Sequence, residues 1–136
     1  SWTGQGPGIE AARRGHDVVM CPAQNVYFDL AHSPDPDDWG AAWAGFVSLE
    51  KTVDWDPVPV GAEDIAERIV GVEACLWGEI VTEDWQMEAL VAPRILGLAT
   101  KAWERRGATN GAALRSLATA YGPVFDRMGW AHNIGA

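Results

Sequence analysis

The sequence predicts an α/β fold built on parallel strands, and three observations carry that expectation. Residues 17–21 (DVVMC) form a continuous apolar run with β-branched members, stopped by Pro22, which is the pattern of a buried parallel-type strand. Residues 70–77 (VGVEACLW) form a second run of the same kind. Helical patterns precede and follow both, so the order is helix, strand, long loop, helix, strand, helices. That βα alternation favours parallel pairing.

Each element has a local reason. Residues 3–8 are turn-rich, with glycines at 4, 6 and 8 and Pro7. Residues 9–14 then read as a short helix ended by Gly15. After the first strand, residues 25–36 read as a loop opening with Tyr27-Phe28-Asp29, and residues 37–48 are expected to hold a short helix. Pro57 and Pro59 make residues 56–61 a connection. Ala62, Ile65, Ala66 and Ile69 recur at the spacing of one helix face. Beyond the second strand, Thr82 is the expected N-cap of a helix running to about Val91, with Glu83 and Asp84 complementing its dipole. Pro93 suits the first position of another helix. Its apolar face is Ile95, Leu98, Ala99 and Ala102, and Gly107 ends it. Thr109 or Asn110 caps a last helix, in which Leu114, Leu117, Ala118 and Tyr121 align and Pro123 should disturb the end.

Composition narrows the function classes. The 136 residues suffice for one compact domain but not for a complete eight-stranded α/β barrel, which needs about 250. At 48% hydrophobic residues a real core is expected. Ten basic against 19 acidic residues give a net charge of −9 with no basic stripe, so nucleic acid is a poor partner. No apolar run approaches the roughly 20 residues of a membrane helix. Cys21 and Cys75 lie far apart in apolar runs and suggest no disulfide framework or metal site.

The candidate chemistry lies at strand ends. In parallel α/β folds ligands bind at the carboxyl ends of strands. Three polar-aromatic clusters fall there: Ser1-Trp2, Tyr27 with Asp29, and Trp77 with Glu79. Carboxylates accept hydrogen bonds from sugar hydroxyls and indoles cover the flat faces of sugar rings. A shared saccharide pocket is therefore one expectation, and ordinary core packing of the eight tryptophans is the plainer one. Other signals are weaker. The glycines at 4, 6 and 8 lack a phosphate-loop lysine. Asp35, Asp37 and Asp38 lack the glutamate that closes a calcium loop. His16, His32 and His132 have no metal-ligand spacing. Glu73, inside an apolar strand, needs a partner, and Arg94 is the expected one.

Three stretches resemble glycoside hydrolase family 20 β-N-acetylhexosaminidases. Ser1-Trp2-Thr3-Gly4, continuing through Gly8-Ile9-Glu10-Ala11-Ala12 to Gly15-His16-Asp17-Val18-Val19, resembles the family's passage from the sixth barrel strand to the seventh. Tyr27-Phe28-Asp29 resembles its Tyr-x-Asp after the seventh strand. Gly71 to Glu79 (GVEACLWGE) resembles its eighth-strand motif, continued by Pro93-Arg94 and Trp103. The ordered set covers most of residues 1–105.

The resemblance implies a partial TIM (β/α)8 barrel, roughly the last three βα units with additional C-terminal helices, forming the C-terminal portion of a catalytic domain. It implies a retaining exo-β-N-acetylhexosaminidase that removes terminal β-linked N-acetylglucosamine or N-acetylgalactosamine by substrate-assisted catalysis, a named exception to the two-carboxylate scheme. Tyr27 would hold the acetamido carbonyl. Trp2 and Trp77 would line the acetamido pocket, Asp29 and Glu79 would bind hydroxyls, and Trp43 would face the leaving group. No cofactor or metal is implied. The implied partners are N-acetylhexosamine-terminated glycans or chito-oligosaccharides, and either the remainder of the barrel or a second copy of the chain.

The departures bear on activity. No Asp-Glu dipeptide, the family's catalytic acid pair, occurs in the chain. Thr3 and Thr100 replace a common arginine and glutamate. A fragment or truncated product, inactive alone, is the leading expectation. The alternative is a non-catalytic carbohydrate-binding or interaction α/β module. Compartment remains open between cytoplasmic and secreted.

Overall fold

The computed structural model describes residues 2–133. Helix α1 (Gly6–Arg13) leads to strand β1 (Val18–Met20), and the short helix α2 (Ala23–Val26) follows. A long irregular stretch then reaches strand β2 (Ile69–Val72). Helices α3 (Asp84–Val91), α4 (Arg94–Trp103) and α5 (Gly111–Met128) complete the order. β1 and β2 pair in parallel, with Val18 opposite Ile69, Val19 opposite Gly71 and Met20 opposite Val72. The parallel α/β class is as expected. Among the described residues two strands are present, and Ser1, at the first expected strand tip, lies outside them.

Pairing continues past the strands. Cys75 N–H donates to Val26 O at 3.0 Å, and Phe28 N–H donates to Cys75 O at 2.7 Å. The segment carrying Tyr27 is thereby fastened to the segment carrying Trp77. Apolar packing flanks this seam. One cluster joins Cys21, Ala23, Val26, Tyr27, Leu30 and Val47. A second places Ala12 of α1 and Met20 of β1 against Ala62 and Ile65.

Several expectations are corrected. Residues 37–48 hold turns and isolated bridges (Leu30 with Ala41, Trp43 with Gly45) and no helix. Glu63–Arg68 is a 3-10 helix. Its three-residue turn keeps Ala62 and Ile65 on one buried face and turns Ala66 outward. The N-cap of α3 is Glu83, one residue past Thr82, in a reciprocal capping box with Gln86. The buried residues of α4 are Arg94 and Gly97, while Ala99 and Ala102 are exposed. Gly97 sets that rotation: a Cβ there would lie 1.7 Å from Thr52 Oγ1. Helix α4 ends at Trp103, before Gly107. Asn110 caps α5 by accepting from Ala113 N–H at 3.0 Å. Leu114 and Ala118 are buried there, but Leu117 and Tyr121 are not. Pro123 does not end α5, which continues to Met128. It sits on the exposed face, where the carbonyl it leaves unpaired meets solvent.

Arg94 does not pair with Glu73. It is fully buried, and its five N–H groups all go to main-chain carbonyls. Nε donates to Leu90 O at 2.9 Å, Nη1 to Leu30 O at 2.8 Å and Val47 O at 2.9 Å, and Nη2 to Phe28 O at 2.7 Å and Leu90 O at 2.6 Å. The guanidinium also lies 5.0 Å from the centre of the Phe28 ring. Burial pulls its proton affinity down to about 9, so it remains a cation at neutral pH. The irregular loops after β1 carry carbonyls without ladder partners, and the rigid five-donor fork of arginine satisfies them where a carboxylate could not.

Candidate functional site

Four segments build the site. Tyr27 follows α2 and is pinned by the Cys75 main chain. Trp77 and Glu79 belong to the segment leaving β2, with Glu79 in a 3-10 turn at Gly78–Ile80. Trp43 comes from the long loop, and Trp2 from the segment before α1. Trp2, Tyr27, Trp43, Trp77 and Glu79 line one cavity of about 330 Å³.

Tyr27 is the hub. Its ring centre stands 6.0 Å from Trp43 and 5.9 Å from Trp77, both edge-on, and Trp43 stands 6.3 Å from Trp2. Tyr27 is only 5% exposed, whereas Trp2, Trp43 and Trp77 are 64%, 53% and 48% exposed. Indole faces are thus open to solvent around a fixed phenol, an arrangement suited to a ring with C–H faces and polar edges. Burial, then the neighbouring Cys75 and Cys21, raise the Tyr27 hydroxyl above its ordinary value. It therefore stays protonated and can donate a hydrogen bond.

Asp29 differs from the other expected residues. It does not line the cavity and is 1% exposed. The Trp43 side chain and the Trp77 backbone lie near enough to favour its charged form, yet burial outweighs them and raises its pKa. Neither carboxylate oxygen has a partner at hydrogen-bond geometry. Asp29 is thus a buried acceptor held beside the aromatic wall, with Glu79 close enough to disfavour its charge further.

A larger cavity, about 530 Å³, opens between β2 and α4. Its wall is mainly Ile69, Val70, Val72 and Trp103, and its charges are engaged: Lys101 donates to Trp55 O, and Arg106 pairs with Asp56. It has no convergence of aromatics with an uncommitted acid, so the smaller cavity is the better ligand site.

Chain comparison decides the family. Residues 1–106 match glycosyl hydrolase family 20, catalytic domain. The chain belongs to this family. A beta-hexosaminidase from Vibrio furnissii is 35% identical over 101 residues, covering 73% of this chain and 16% of its own length. A beta-N-acetylhexosaminidase from Cellulomonas fimi is 27% identical over 124 residues, covering 91% of this chain and 25% of its own. The crystal structure of a family 20 exo beta-N-acetylglucosaminidase from Vibrio harveyi, in complex with N-acetylglucosamine, superimposes with a TM-score of 0.87 at 29% identity. That match covers 98% of this chain and 21% of the other. This family 20 chain therefore spans a quarter or less of the curated relatives just described.

One feature of this family 20 chain escaped the sequence reading. Cys21 and Cys75, 54 positions apart, bring their Sγ atoms to 3.2 Å. Glu73 Oε1 lies 4.0 Å from Cys75 Sγ. The available signal was that both cysteines lie in apolar runs with the pattern of parallel strands. The register that makes them neighbours was not legible.

Proposed function

We propose that this chain is the C-terminal part of the catalytic domain of a retaining exo-β-N-acetylhexosaminidase, supplying much of its terminal-sugar pocket. The observation that carries this reading is the convergence of Trp2, Tyr27, Trp43, Trp77 and Glu79 on one cavity. The segment represents roughly the last three βα units of a (β/α)8 barrel. The natural substrate class is a glycan ending in β-linked N-acetylglucosamine or N-acetylgalactosamine, including chito-oligosaccharides.

In the proposed reaction the substrate's acetamido oxygen attacks its own anomeric carbon as the glycosidic bond breaks. Tyr27 donates its hydroxyl proton in a hydrogen bond to the acetamido carbonyl oxygen and holds it in line. That placement contributes through orientation, because the attacking atom is already in reach. Trp2 and Trp77 enclose the acetamido group and the sugar face and exclude water that would compete for the anomeric carbon. Glu79 accepts hydrogen bonds from ring hydroxyls, whereas Asp29, buried outside the cavity beside Trp43 and Trp77, acts on the sugar only through the wall it supports. Trp43 offers a platform to the leaving saccharide.

Protonation of the leaving oxygen requires a general acid, and orientation of the acetamido nitrogen requires an acceptor. In the family these are an adjacent Asp-Glu pair, and that dipeptide occurs nowhere in the 136 residues. The chain alone is therefore inactive, and it acts with the remainder of the barrel or self-associates through its open strand edges. Calorimetry with N-acetylglucosamine, beside a chromogenic β-N-acetylglucosaminide assay, tests the reading. Weak binding lost in Tyr27→Phe, without turnover, is expected. Turnover by the chain alone overturns the missing-acid argument, and sugar binding indifferent to Tyr27 and Trp77 overturns the assignment of the pocket.

A further inference from the structure

We propose that Cys21 and Cys75 form a reversible intramolecular disulfide in the presence of a hydroperoxide, making the floor behind Tyr27 a site of oxidative modification. The two sulfurs are 3.2 Å apart in the dithiol form, so bond formation needs about 1 Å of approach. Cys21 follows β1 directly, while the Cys75 main chain is already bound on both sides to Val26 and Phe28.

The environment separates the roles of the two thiols. Cys21 is buried, whereas Cys75 is partly exposed. Burial first, then its hydrogen bond to the neighbouring Cys75, push the Cys21 thiol up to about 12. Cys21 therefore keeps its proton, and Cys75 is the sulfur that meets the oxidant. The peroxide transfers one oxygen to Cys75, its O–O bond breaks, and water leaves, giving a sulfenic acid. The Cys21 sulfur then displaces the sulfenic hydroxyl, its own proton leaving with that oxygen as a second water. Two thiols lose two electrons in total and hydrogen peroxide accepts them.

A metal site is the competing use of the same atoms, since Cys21, Glu73 and Cys75 place ligand atoms within 4.8 Å of one another. Geometry favours the cross-link. Tetrahedral zinc with sulfur at about 2.3 Å holds two sulfurs roughly 3.8 Å apart, wider than the separation found here.

The consequence is local. Tyr27 pairs through its main chain with Cys75, so the cross-link ties the end of β1 to the seam that places Tyr27 and Trp77. It also removes the two thiols that raise the Tyr27 hydroxyl.

The test is intact-mass and peptide mapping of the full chain before and after hydrogen peroxide. A loss of about 2 Da in a monomer, a linked peptide pair containing Cys21 and Cys75, reversal by dithiothreitol, and a raised thermal midpoint are expected. In Cys21→Ser, Cys75 should instead accumulate as a sulfenic acid trapped by dimedone. Mapping the unmodified chain keeps the test valid if that variant folds poorly. Persistence of both thiols at peroxide levels that oxidise the urea-unfolded chain, conversion only to intermolecular dimers, or stoichiometric binding of added zinc that protects both thiols would each overturn the proposal.

Discussion

Replacing Arg94 probes the joint that holds the site together. The side chain makes five hydrogen bonds to four carbonyl oxygens, those of Phe28, Leu30, Val47 and Leu90. Two of these residues flank Asp29, so the guanidinium fixes the backbone that follows Tyr27. Lysine keeps the charge but has three donors on one nitrogen, which cannot span acceptors arranged around a planar fork. At least one of the four carbonyls then loses its donor in a region without water access. An orphaned buried acceptor costs about 1–3 kcal/mol, so Arg94→Lys should destabilise by at least about 1–3 kcal/mol. Arg94→Met removes the cost of burying the charge but orphans all four carbonyls, and should be at least as damaging. Urea unfolding followed by circular dichroism measures both. The midpoint should fall with little change in slope. A lysine variant within about 0.5 kcal/mol of the parent, the range of an ordinary surface substitution, would refute the view that these bonds organise the loop.

Other expectations follow from single groups. His32, bonded to Ala89 O at 3.0 Å, is lowered to about 4, by burial first and then by the charge of Arg94. Its unfolded value is near 6.5, so between pH 6.5 and 4 only the unfolded chain takes the proton, and stability falls as pH drops through that window. The full loss is about 3 kcal/mol, and pH-dependent unfolding of His32→Gln should lack that share of the slope. Asp29→Asn should raise stability at neutral pH by on the order of 1 kcal/mol, because a buried carboxylate without donors is replaced by a neutral amide. The same change should weaken N-acetylglucosamine binding in calorimetry, and unchanged affinity would remove Asp29 from the site. Gly97→Ala places a methyl against Thr52 and should cost about 2–4 kcal/mol in thermal or urea unfolding. The double variant with Thr52→Ala should recover part of that loss, since the clash is with the threonine side chain.

Local chemistry made much of this chain readable in advance. Two apolar runs with β-branched residues predicted β1 and β2, although Val19 and Val70 are exposed and neither strand is covered on both faces. Thr109 and Asn110 together marked the start of α5, because a short side-chain acceptor satisfies a helix N–H, and the structure gives the cap to Asn110. Tyr27, Trp77 and Glu79 stood out as aromatic and acidic groups at strand ends, whereas Trp43 was indicated only by the family resemblance.

Tertiary contact decided the rest. Arg94 looked like a partner for Glu73, yet its donors were claimed by carbonyls from loops up to 66 residues away. The buried face of α4 follows from the close approach of Gly97 to Thr52, which no spacing rule encodes. The meeting of Cys21 and Cys75 depends on a parallel register set by which residues pair across β1 and β2. Periodicity and capping act within a few residues and are written along the chain. Register, close approach and the satisfaction of buried carbonyls arise only where distant segments pack together.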